Sequence, residues 1–316
     1  MKKADVLIIG GGPAGAACAK RLKQNDVSCI VLDKAVFPRF KPCAGWITPE
    51  VLQLADISLG QYPHSFTKFS SFDVSIRGFK IKLPTHQYSI RRYEFDQWFL
   101  KQANVEVNLH KVNEIRLEKD EYIVDGEYSG RYLIGAGGTN CPVYRTFFRN
   151  ISPRTASALI VAQEEEFYYD VLDPKCKLWF LENKLPGYAW YVPKQNGFLN
   201  IGVGGAEEQL KRNGDSLKNH WNLLVNHLEE SGLVADHKYK PVGHSYYLRQ
   251  KLPAIHINNA FLVGDALGLA TLDMGEGIGP AIQSGYLAAE SIIHNSAYSI
   301  DSISCYSFPS LLGFRK

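Results

Sequence analysis

Three glycines near the amino terminus have a spacing that suits the binding of a dinucleotide phosphate. Gly10, Gly12 and Gly15 form the pattern G-x-G-x-x-G directly after an apolar run, and Pro13 and Ala14 follow at the start of a helical pattern. The first glycine permits a tight turn, the second lets the backbone approach a pyrophosphate, and the third lets the helix pack closely on the strand. The helix start offers unpaired N–H groups to the phosphates. We therefore predict a dinucleotide-binding turn.

An acidic residue follows the next apolar run at the expected distance. Asp33 ends that run, and a carboxylate there accepts hydrogen bonds from ribose hydroxyls. It also repels a 2′-phosphate, which disfavours NADP at this site. We place Lys34, the next residue, in the same site. The fingerprint alone does not separate FAD from NAD.

The apolar periodicity indicates the elements that position these residues. The first 33 residues read as a βαβ unit, and residues 105–128 as short antiparallel strands with a turn at Asp125-Gly126. Residues 132–135 and 260–263 read as buried strands, and 277–294 as a helix. Residues 34–87, rich in Pro, Phe and Ser, are expected to be irregular.

A second sheet is predicted in the middle of the chain. Strand patterns cover 158–166, 177–181, 188–192 and 198–203, and a helix is expected over 216–230, with Asp215 as a candidate cap. The fold class is therefore α/β: a Rossmann-like domain with a parallel sheet and an antiparallel crossover, interleaved with a second, mostly antiparallel β-sheet domain. The predicted boundaries are 1–60, 88–150 and 255–298 for the nucleotide-binding domain, 61–87 and 151–254 for the substrate domain, and 299–316 for a short tail.

Four further segments resemble one family of proteins. Residues 37–45 are similar to FPRxKPCxG, 92–96 to RxxFD, and 262–266 with 274–278 to GDA followed by GEGI. Residues 185–193 are similar to [P/L]xxYxWxFP, with Val192 in place of Phe. Together they resemble the geranylgeranyl reductase family, within the flavoproteins similar to p-hydroxybenzoate hydroxylase. The resemblance covers about residues 4–295.

This resemblance implies that FAD is the cofactor. With the residues above, it assigns cofactor contacts to Arg39, Cys43, Ala44, Arg92, Gly138, Asp265, Gly275, Gly277 and Ile278. It assigns substrate contacts to Tyr188 and Trp190, which alternate on a strand and so face the same side. A cation at a helix start is unfavourable unless an anion lies near, so we expect an anionic partner at Arg92.

The resemblance implies an FAD-dependent oxidoreductase that reduces an unsaturated hydrophobic substrate, such as an isoprenoid, by hydride transfer from reduced flavin. One alternative is an oxygen-using monooxygenase or halogenase, because 188–193 also resembles the WxWxIP segment of flavin halogenases. Another is a non-enzymatic FAD-binding scaffold or maturation protein. No catalytic acid or base is assigned. Glu276 is closest by motif, and a structural role for it is equally open.

The external electron donor stays open between NAD(P)H and a redox protein. Gly137 stands where the superfamily usually has Asp, and there is no second G-x-G-x-x-G. Relatives usually extend further at the carboxyl terminus, so a smaller lid, a more open cavity or a smaller substrate is expected here.

Composition limits the other classes of function. Lys and Arg number 35 against 32 Asp and Glu, a net charge of +3, and the basic residues are scattered, so we expect no nucleic-acid partner. Six separated cysteines without a CxxC pair argue against zinc and disulfides. No apolar run reaches the roughly 18 residues of a membrane span. We expect a cytoplasmic protein, with peripheral membrane contact through a lipid substrate left open.

Overall fold

The computed structural model describes residues 1–58, 60–64 and 66–307, which form two eight-stranded sheets and six α-helices. The helices are α1 (Pro13–Lys23), α2 (Pro49–Leu54), α3 (Arg92–Gln102), α4 (Glu207–Arg212), α5 (Leu217–Glu230) and α6 (Ile278–Ile293). This arrangement confirms the predicted α/β fold class.

The first sheet is built around parallel strands. Its members are β1 (Lys2–Ile9), β2 (Cys29–Asp33), β6 (Glu106–Leu109), β7 (Ile115–Glu118), β8 (Glu121–Val124), β9 (Tyr128–Gly135), β15 (His256–Ile257) and β16 (Ala260–Leu262). The order is β15-β16-β9-β1-β2-β6, and the pairs from β16 to β6 are parallel. Strands β7 and β8 extend it through an antiparallel pairing of β8 with β9. The antiparallel strands expected over residues 105–128 are therefore confirmed for β7 and β8, but the expectation is wrong for β6, which pairs with β2 in parallel. The carboxyl ends of β1 and β2 therefore lie side by side.

Helices α1 and α6 pack on one face of this sheet at very short range. A Cβ atom at Gly285 in α6 would lie 2.2 Å from the carbonyl oxygen of Ala14 in α1. Only glycine permits this approach, which brings the amino-terminal ends of α1 and α6 toward the same region. Both faces of the sheet are buried, which explains the continuous apolar runs in its strands.

The second sheet is mostly antiparallel. Its members are β3 (Trp46–Ile47), β4 (Thr67–Ile76), β5 (Phe79–Ser89), β10 (Leu159–Tyr168), β11 (Cys176–Phe180), β12 (Gly187–Lys194), β13 (Phe198–Ala206) and β14 (Val242–Tyr247). Its order is β14-β10-β13-β12-β11-β4-β5-β3, and β4 with β11 is the one parallel pair among the described strands of this second sheet.

The prediction of irregular structure over residues 34–87 is wrong for β3 and α2, and for most of its second half. Residues 67–89 form the hairpin β4–β5, with a turn at Arg77 and Gly78, whose φ values are 49° and 86°. Two consecutive residues at positive φ are the signature of a tight hairpin turn. The Pro and Ser content masked an alternation of apolar and polar residues along β4.

Helix α5 packs its apolar side on the second sheet, and its cap differs from the one expected. Ser216 is the N-cap, and its hydroxyl accepts a hydrogen bond from Asn219 N at 3.3 Å. Asp215 instead accepts from the backbone N–H of Ser216 at 2.7 Å and contacts the His220 ring. Serine at this position satisfies an otherwise free N–H of the first turn.

The last described residues return to the loop before α6. Leu272 N donates to the carbonyl oxygen of Cys305 at 2.9 Å, and Ser307 N donates to the Asp273 carboxylate at 3.0 Å. Residues 308–316 of the predicted tail (299–316) lie outside the described residues. No helix within the described part of the chain has both the length and the apolar character to cross a membrane.

Candidate functional site

The glycine turn between β1 and α1 has the geometry that the sequence predicts. Gly10 has a φ of 114°, and a Cβ there would lie 2.4 Å from the carbonyl oxygen of Ala136. A Cβ at Gly15 would lie 1.9 Å from the carbonyl oxygen of Gly10, so this glycine serves helix packing and does not line the cavity. Gly12 is the N-cap of α1 and has no capping side chain. The first-turn N–H groups of α1 therefore point toward the cavity that Gly10 and Gly12 line.

Asp33 is fixed by the backbone at the end of β2. Its Oδ2 accepts a hydrogen bond from Gly11 N at 2.7 Å, and its Oδ1 accepts from Ala35 N at 2.9 Å. Each carboxylate oxygen retains a second acceptor site. The carboxylate is thus held at the cavity wall in a position from which it can accept ribose hydroxyls.

A second glycine-rich loop approaches the same cavity from the start of α6. Gly275 has a φ of 63°, and a Cβ there would lie 2.4 Å from the hydroxyl oxygen of Tyr246. A Cβ at Gly277 would lie 3.4 Å from Oδ1 of Asp265. Glu276 turns back onto the helix, where its Oε1 accepts from Gly279 N at 2.7 Å. Burial raises the pKa of Glu276 to about 7, although hydrogen bonds from the helix start oppose this.

Both loops border a single cavity of about 1570 Å³. Pockets for drug-sized ligands measure about 300–1,000 Å³, so this one has room for a dinucleotide and a second molecule. The predicted site residues on its wall are Gly10, Gly12, Pro13, Ala14, Asp33, Lys34, Arg39, Cys43, Ala44, Arg92, Gly138, Tyr188, Trp190, Asp265, Gly275, Gly277 and Ile278. The glycine cradle, the helix start and the fixed carboxylate fit the diphosphate and ribose of FAD.

Arg92 has an anionic partner from its own helix. Its guanidinium donates two hydrogen bonds to the Asp96 carboxylate, at 2.6 Å and 2.8 Å, and Arg39 lies 3.3 Å from the same carboxylate. Burial disfavours the charge on Arg92, but Asp96 outweighs it and raises the pKa of Arg92. The anion expected at Arg92 is therefore supplied within the chain. One carboxylate is shared between two guanidinium groups, so positive charge is left over at the cavity wall.

An aromatic wall faces the glycine loops. Tyr188 on β12 packs against Trp46 and Phe180, with ring centroids 6.2 Å and 5.0 Å apart. Its hydroxyl donates to the carbonyl oxygen of Met274 at 2.6 Å, which joins β12 to the loop before α6. Trp190 Nε1 donates to Oδ1 of Asn200 at 2.7 Å. The two side chains predicted to contact substrate therefore share one wall.

Glu164 on β10 is a candidate functional residue that sequence reasoning missed. Only 1% of its surface is exposed, and it lines the cavity. Its Oε1 accepts from the backbone N–H of Cys43 and from Asn200 Nδ2, whereas its Oε2 has no hydrogen-bond partner among the described residues. Burial raises the pKa of Glu164 to about 7, although Lys194 and the hydrogen bonds from Asn200 and Cys43 oppose this.

The signal for Glu164 was present but incomplete. It lies in the run Glu164-Glu165-Glu166, which alone resembles a solvated charged surface. Strand alternation puts Glu164 and Glu165 on opposite faces, and Glu165 pairs with His237 at 2.9 Å. A strand assignment with the correct register could have placed one acid of this run inside.

Comparisons with known proteins agree with this geometry. A sequence family described as an NAD(P)-binding Rossmann-like domain matches residues 8–40. An uncharacterized protein of Methanosarcina barkeri is 34% identical, with the match covering 92% of this chain and 75% of that protein. The menaquinone reductase of Mycobacterium tuberculosis is 26% identical over 91% of this chain and 76% of its own. The geranylgeranyl diphosphate reductase of Rhodobacter capsulatus is 26% identical over 91% of this chain and 74% of its own.

A flavin-dependent halogenase of Armillaria mellea is 26% identical over 66% of this chain and 46% of its own. Among solved structures, a geranylgeranyl bacteriochlorophyll reductase-like protein of Thermoplasma acidophilum superposes with a TM-score of 0.80 at 22% identity. That match covers 95% of this chain and 81% of the other, and it shows that the fold is shared.

The fold and the cavity define the class as an FAD-dependent oxidoreductase with a Rossmann-type nucleotide site. The chain belongs to the geranylgeranyl reductase family of these flavoproteins, as its motifs predicted. FAD is the cofactor of this class of enzyme.

Proposed function

We propose that this enzyme reduces a carbon–carbon double bond of a hydrophobic substrate with an isoprenoid chain. The observation that carries this proposal is the continuity of one cavity from the glycine turn at Gly12 to the aromatic wall at Tyr188 and Trp190. An apolar substrate on that wall would lie next to a flavin held by the two glycine loops. Relatives named as menaquinone and geranylgeranyl reductases support a substrate of this class.

The inner wall suits an apolar chain. It combines Trp46, Phe72 and Phe180 with Leu178, all of which line the cavity. Phe72 and Leu178 are almost completely buried, so they form a fixed surface. Burial of apolar surface stabilises a hydrophobic ligand by about 25 cal/mol per Å². We propose that this wall orients the substrate chain, while the site residues named above hold FAD.

FAD, when bound, supplies the two-electron reduction. We propose that Glu164 holds the proton that completes saturation, because this buried acid lines the cavity and its Oε2 is unpaired among the described residues. Asn200 and the Cys43 backbone would orient the carboxyl through Oε1. We also propose that Tyr188 fixes the loop at Met274 relative to the aromatic wall.

The deciding experiment is an anaerobic single-turnover reaction of the reduced holoenzyme. Geranylgeranyl compounds and menaquinone supplied in its quinol form, which leaves only chain double bonds to accept the electrons, are mixed with it, and the analogue of each with a fully saturated chain serves as the control. We expect oxidation of the flavin and a reduced product with at least one unsaturated compound and none with its saturated analogue. No flavin oxidation by any unsaturated compound would contradict the proposal. Reducing the enzyme with NADH, NADPH or a ferredoxin identifies the electron donor.

The oxygen-using alternative is kept because of the halogenase relative. It predicts substrate-dependent oxygen consumption and a hydroxylated or halogenated aromatic product, which the anaerobic assay would not give. The scaffold alternative predicts a stable protein complex and no substrate-dependent flavin turnover. We further propose the discontinuous domain boundaries given above. Strand β3 is notable here, because it pairs with β5 in the second sheet although it falls within 1–60.

A further inference from the structure

The hairpin β4–β5 has one apolar face. Its cross-strand pairs include Phe72 with Leu83, Val74 with Ile81, and Ile76 with Phe79. Alternate residues of a strand point to the same face, so these six side chains form one ladder along the hairpin. The ladder ends at the turn formed by Arg77 and Gly78.

This ladder runs from the interior of the cavity to solvent. Phe72 and Val74 are 0% and 5% exposed, whereas Ile76, Ile81 and Phe79 are 41%, 50% and 79% exposed. All of these except Phe79 line the cavity. The aromatic wall near the glycine loops therefore continues into an apolar surface that is open at the hairpin tip. A contiguous exposed apolar patch of this kind marks an interaction site.

The same tip carries unpaired positive charge. Arg77, Lys80 and Lys82 are exposed, and none of them forms an ion pair within the described part of the chain. Lys82 is opposite Asp73 across the hairpin, but the Asp73 carboxylate lies 3.4 Å from Lys177 instead. Three cations thus flank an exposed phenylalanine at the mouth of an apolar cavity.

We propose that the hairpin tip, residues 76–82, docks on the surface of an anionic phospholipid bilayer. Phe79 and Ile76 would enter the interfacial region, where aromatic side chains are favoured, and the three cations would contact the phosphate headgroups. Charge complementarity selects this partner. A second copy would bring the same cations against one another, and lysines on the part of β5 that the short strand β3 leaves unpaired oppose such pairing.

This docking would place the open end of the apolar ladder in the bilayer. A lipid substrate could then move along Phe79 and Ile81 into the cavity without crossing water. The delivery of substrate rests on the proposed function, but the docking itself does not. The two are therefore tested by separate measurements.

The test is flotation of the FAD-loaded full chain with vesicles. The probes are vesicles of phosphatidylcholine alone and of phosphatidylcholine mixed with phosphatidylglycerol, at low and high salt. The variants are Phe79→Ser and the double variant Lys80→Glu with Lys82→Glu. The matched controls are Leu109→Ser, which removes an apolar side chain that is 65% exposed on β6, and Lys119→Glu, which reverses an exposed charge in the β7–β8 turn. The flavin content of each variant confirms that it has folded.

We expect binding to the anionic vesicles, with weaker binding at high salt and to phosphatidylcholine alone. Each cation near an anionic surface contributes about a fivefold factor, and loss of the Phe79 ring about a tenfold factor or more. The two controls should bind like the original protein. Absence of vesicle binding by the original protein would overturn the proposal. Binding of both tip variants as strong as that of the original protein would also overturn it. Concentration-dependent self-association that Phe79→Ser abolishes, without vesicle binding, would assign the patch to a second copy instead.

Turnover provides the separate measurement. Phe79→Ser should retain flavin oxidation by a short-chain substrate in detergent and lose it with a vesicle-embedded substrate. If vesicles bind normally but no unsaturated substrate oxidises the flavin, the proposed function fails and the docking proposal stands.

Discussion

The backbone N–H of Cys43 donates a hydrogen bond to Oε1 of Glu164, so the loop before β3 is tied to β10 by a buried acid. Asn200 Nδ2 donates to the same oxygen at 3.3 Å, and Asn200 Oδ1 accepts from Trp190. A continuous hydrogen-bond network therefore links the Cys43 loop with the aromatic wall. Glu164 Oε2 is the buried atom of this network that has no hydrogen-bond partner among the described residues.

The first prediction concerns Glu164→Gln and catalysis. A proton donor with a pKa of about 7 is protonated below pH 7, so we expect turnover to fall as the pH rises through 7. General acids typically contribute about 10²- to 10⁴-fold to kcat, so the Gln variant should lose activity by this factor. Its remaining turnover should not fall as the pH rises through 7. The measurement is single-turnover flavin oxidation against pH. Glu165→Gln, on the other face of β10, is the matched control.

Flavin content separates this role from a structural one. If Glu164→Gln retained FAD and kept the original pH profile, the acid would be a positioning residue of the Cys43 loop only. Gln preserves the carbonyl oxygen that accepts from Cys43, so the loop should stay in place.

The second prediction concerns the dependence of stability on pH. Burial raises the folded-state pKa of Glu164 from 4.5 to about 7, so its proton stabilises the folded state below pH 4.5 and this contribution is lost as the pH rises to 7. A shift of this size corresponds to a contribution of about 3 kcal/mol at most. His244 acts with the opposite sign, because burial lowers its pKa to about 3. Glu276 acts with the same sign as Glu164.

The difference between the original protein and Glu164→Gln isolates the Glu164 contribution. Melting temperatures of both proteins are measured from pH 5 to 8. The difference between them should be smallest at pH 5, and the melting temperature of the original protein should fall more than that of Glu164→Gln toward pH 8. Parallel curves for the two proteins would contradict the assigned pKa.

The third prediction compares two glycines of the same turn. A Cβ at Gly12 would be 3.4 Å from Arg39 Nη2, which is ordinary contact, so Gly12→Val should fold and lose FAD by filling the phosphate cradle. A Cβ at Gly15 would be 1.9 Å from the Gly10 carbonyl oxygen, so Gly15→Ala should lower the melting temperature. Flavin absorbance of the purified proteins and thermal unfolding distinguish the two. Full FAD occupancy in Gly12→Val would count against the assigned cradle.

The nucleotide-binding part was predictable because its signals are local. The run before Gly10, the spacing to Gly15 and the acid at Asp33 each depend on neighbouring residues. The motif at 274–278 was found through its resemblance to the family's segment, and it lines the cavity.

The missed features depend on register and on partners distant in the chain. Glu164 is inward only once the register of β10 with β13 is known, and its partner Cys43 is 121 residues away. The pairing of Arg92 with Asp96 has helical spacing and could have been found, because residues four apart share a helix face. The β4–β5 hairpin was hidden because a turn at Arg77-Gly78 lacks the usual Asn-Gly or Asp-Gly signal.

The fourth prediction separates the two contributions of Tyr188. Its ring forms part of the aromatic wall, and its hydroxyl donates to Met274 at 2.6 Å. Tyr188→Phe removes only that hydrogen bond, which is worth about 1 kcal/mol, so kcat/KM should fall by about fivefold through a less ordered loop. Tyr188→Ala also removes the ring and should raise KM for an apolar substrate by tenfold or more, since about 1.5–3 kcal/mol of burial is lost.

Both Tyr188 variants should retain FAD, because Tyr188 contacts only the second glycine loop, at Met274, whereas the turn at Gly10–Gly15 and the Asp33 carboxylate would hold the nucleotide without it. The measurements are steady-state kinetics with the substrate found in the anaerobic assay and flavin absorbance after gel filtration. Leu181→Ala, an exposed apolar residue near the end of β11, is the control for general loss of apolar surface at the cavity. Loss of FAD from Tyr188→Phe would assign Tyr188 to the cofactor site. FAD binding would then depend on the hydrogen bond from the Tyr188 hydroxyl to the loop at Met274.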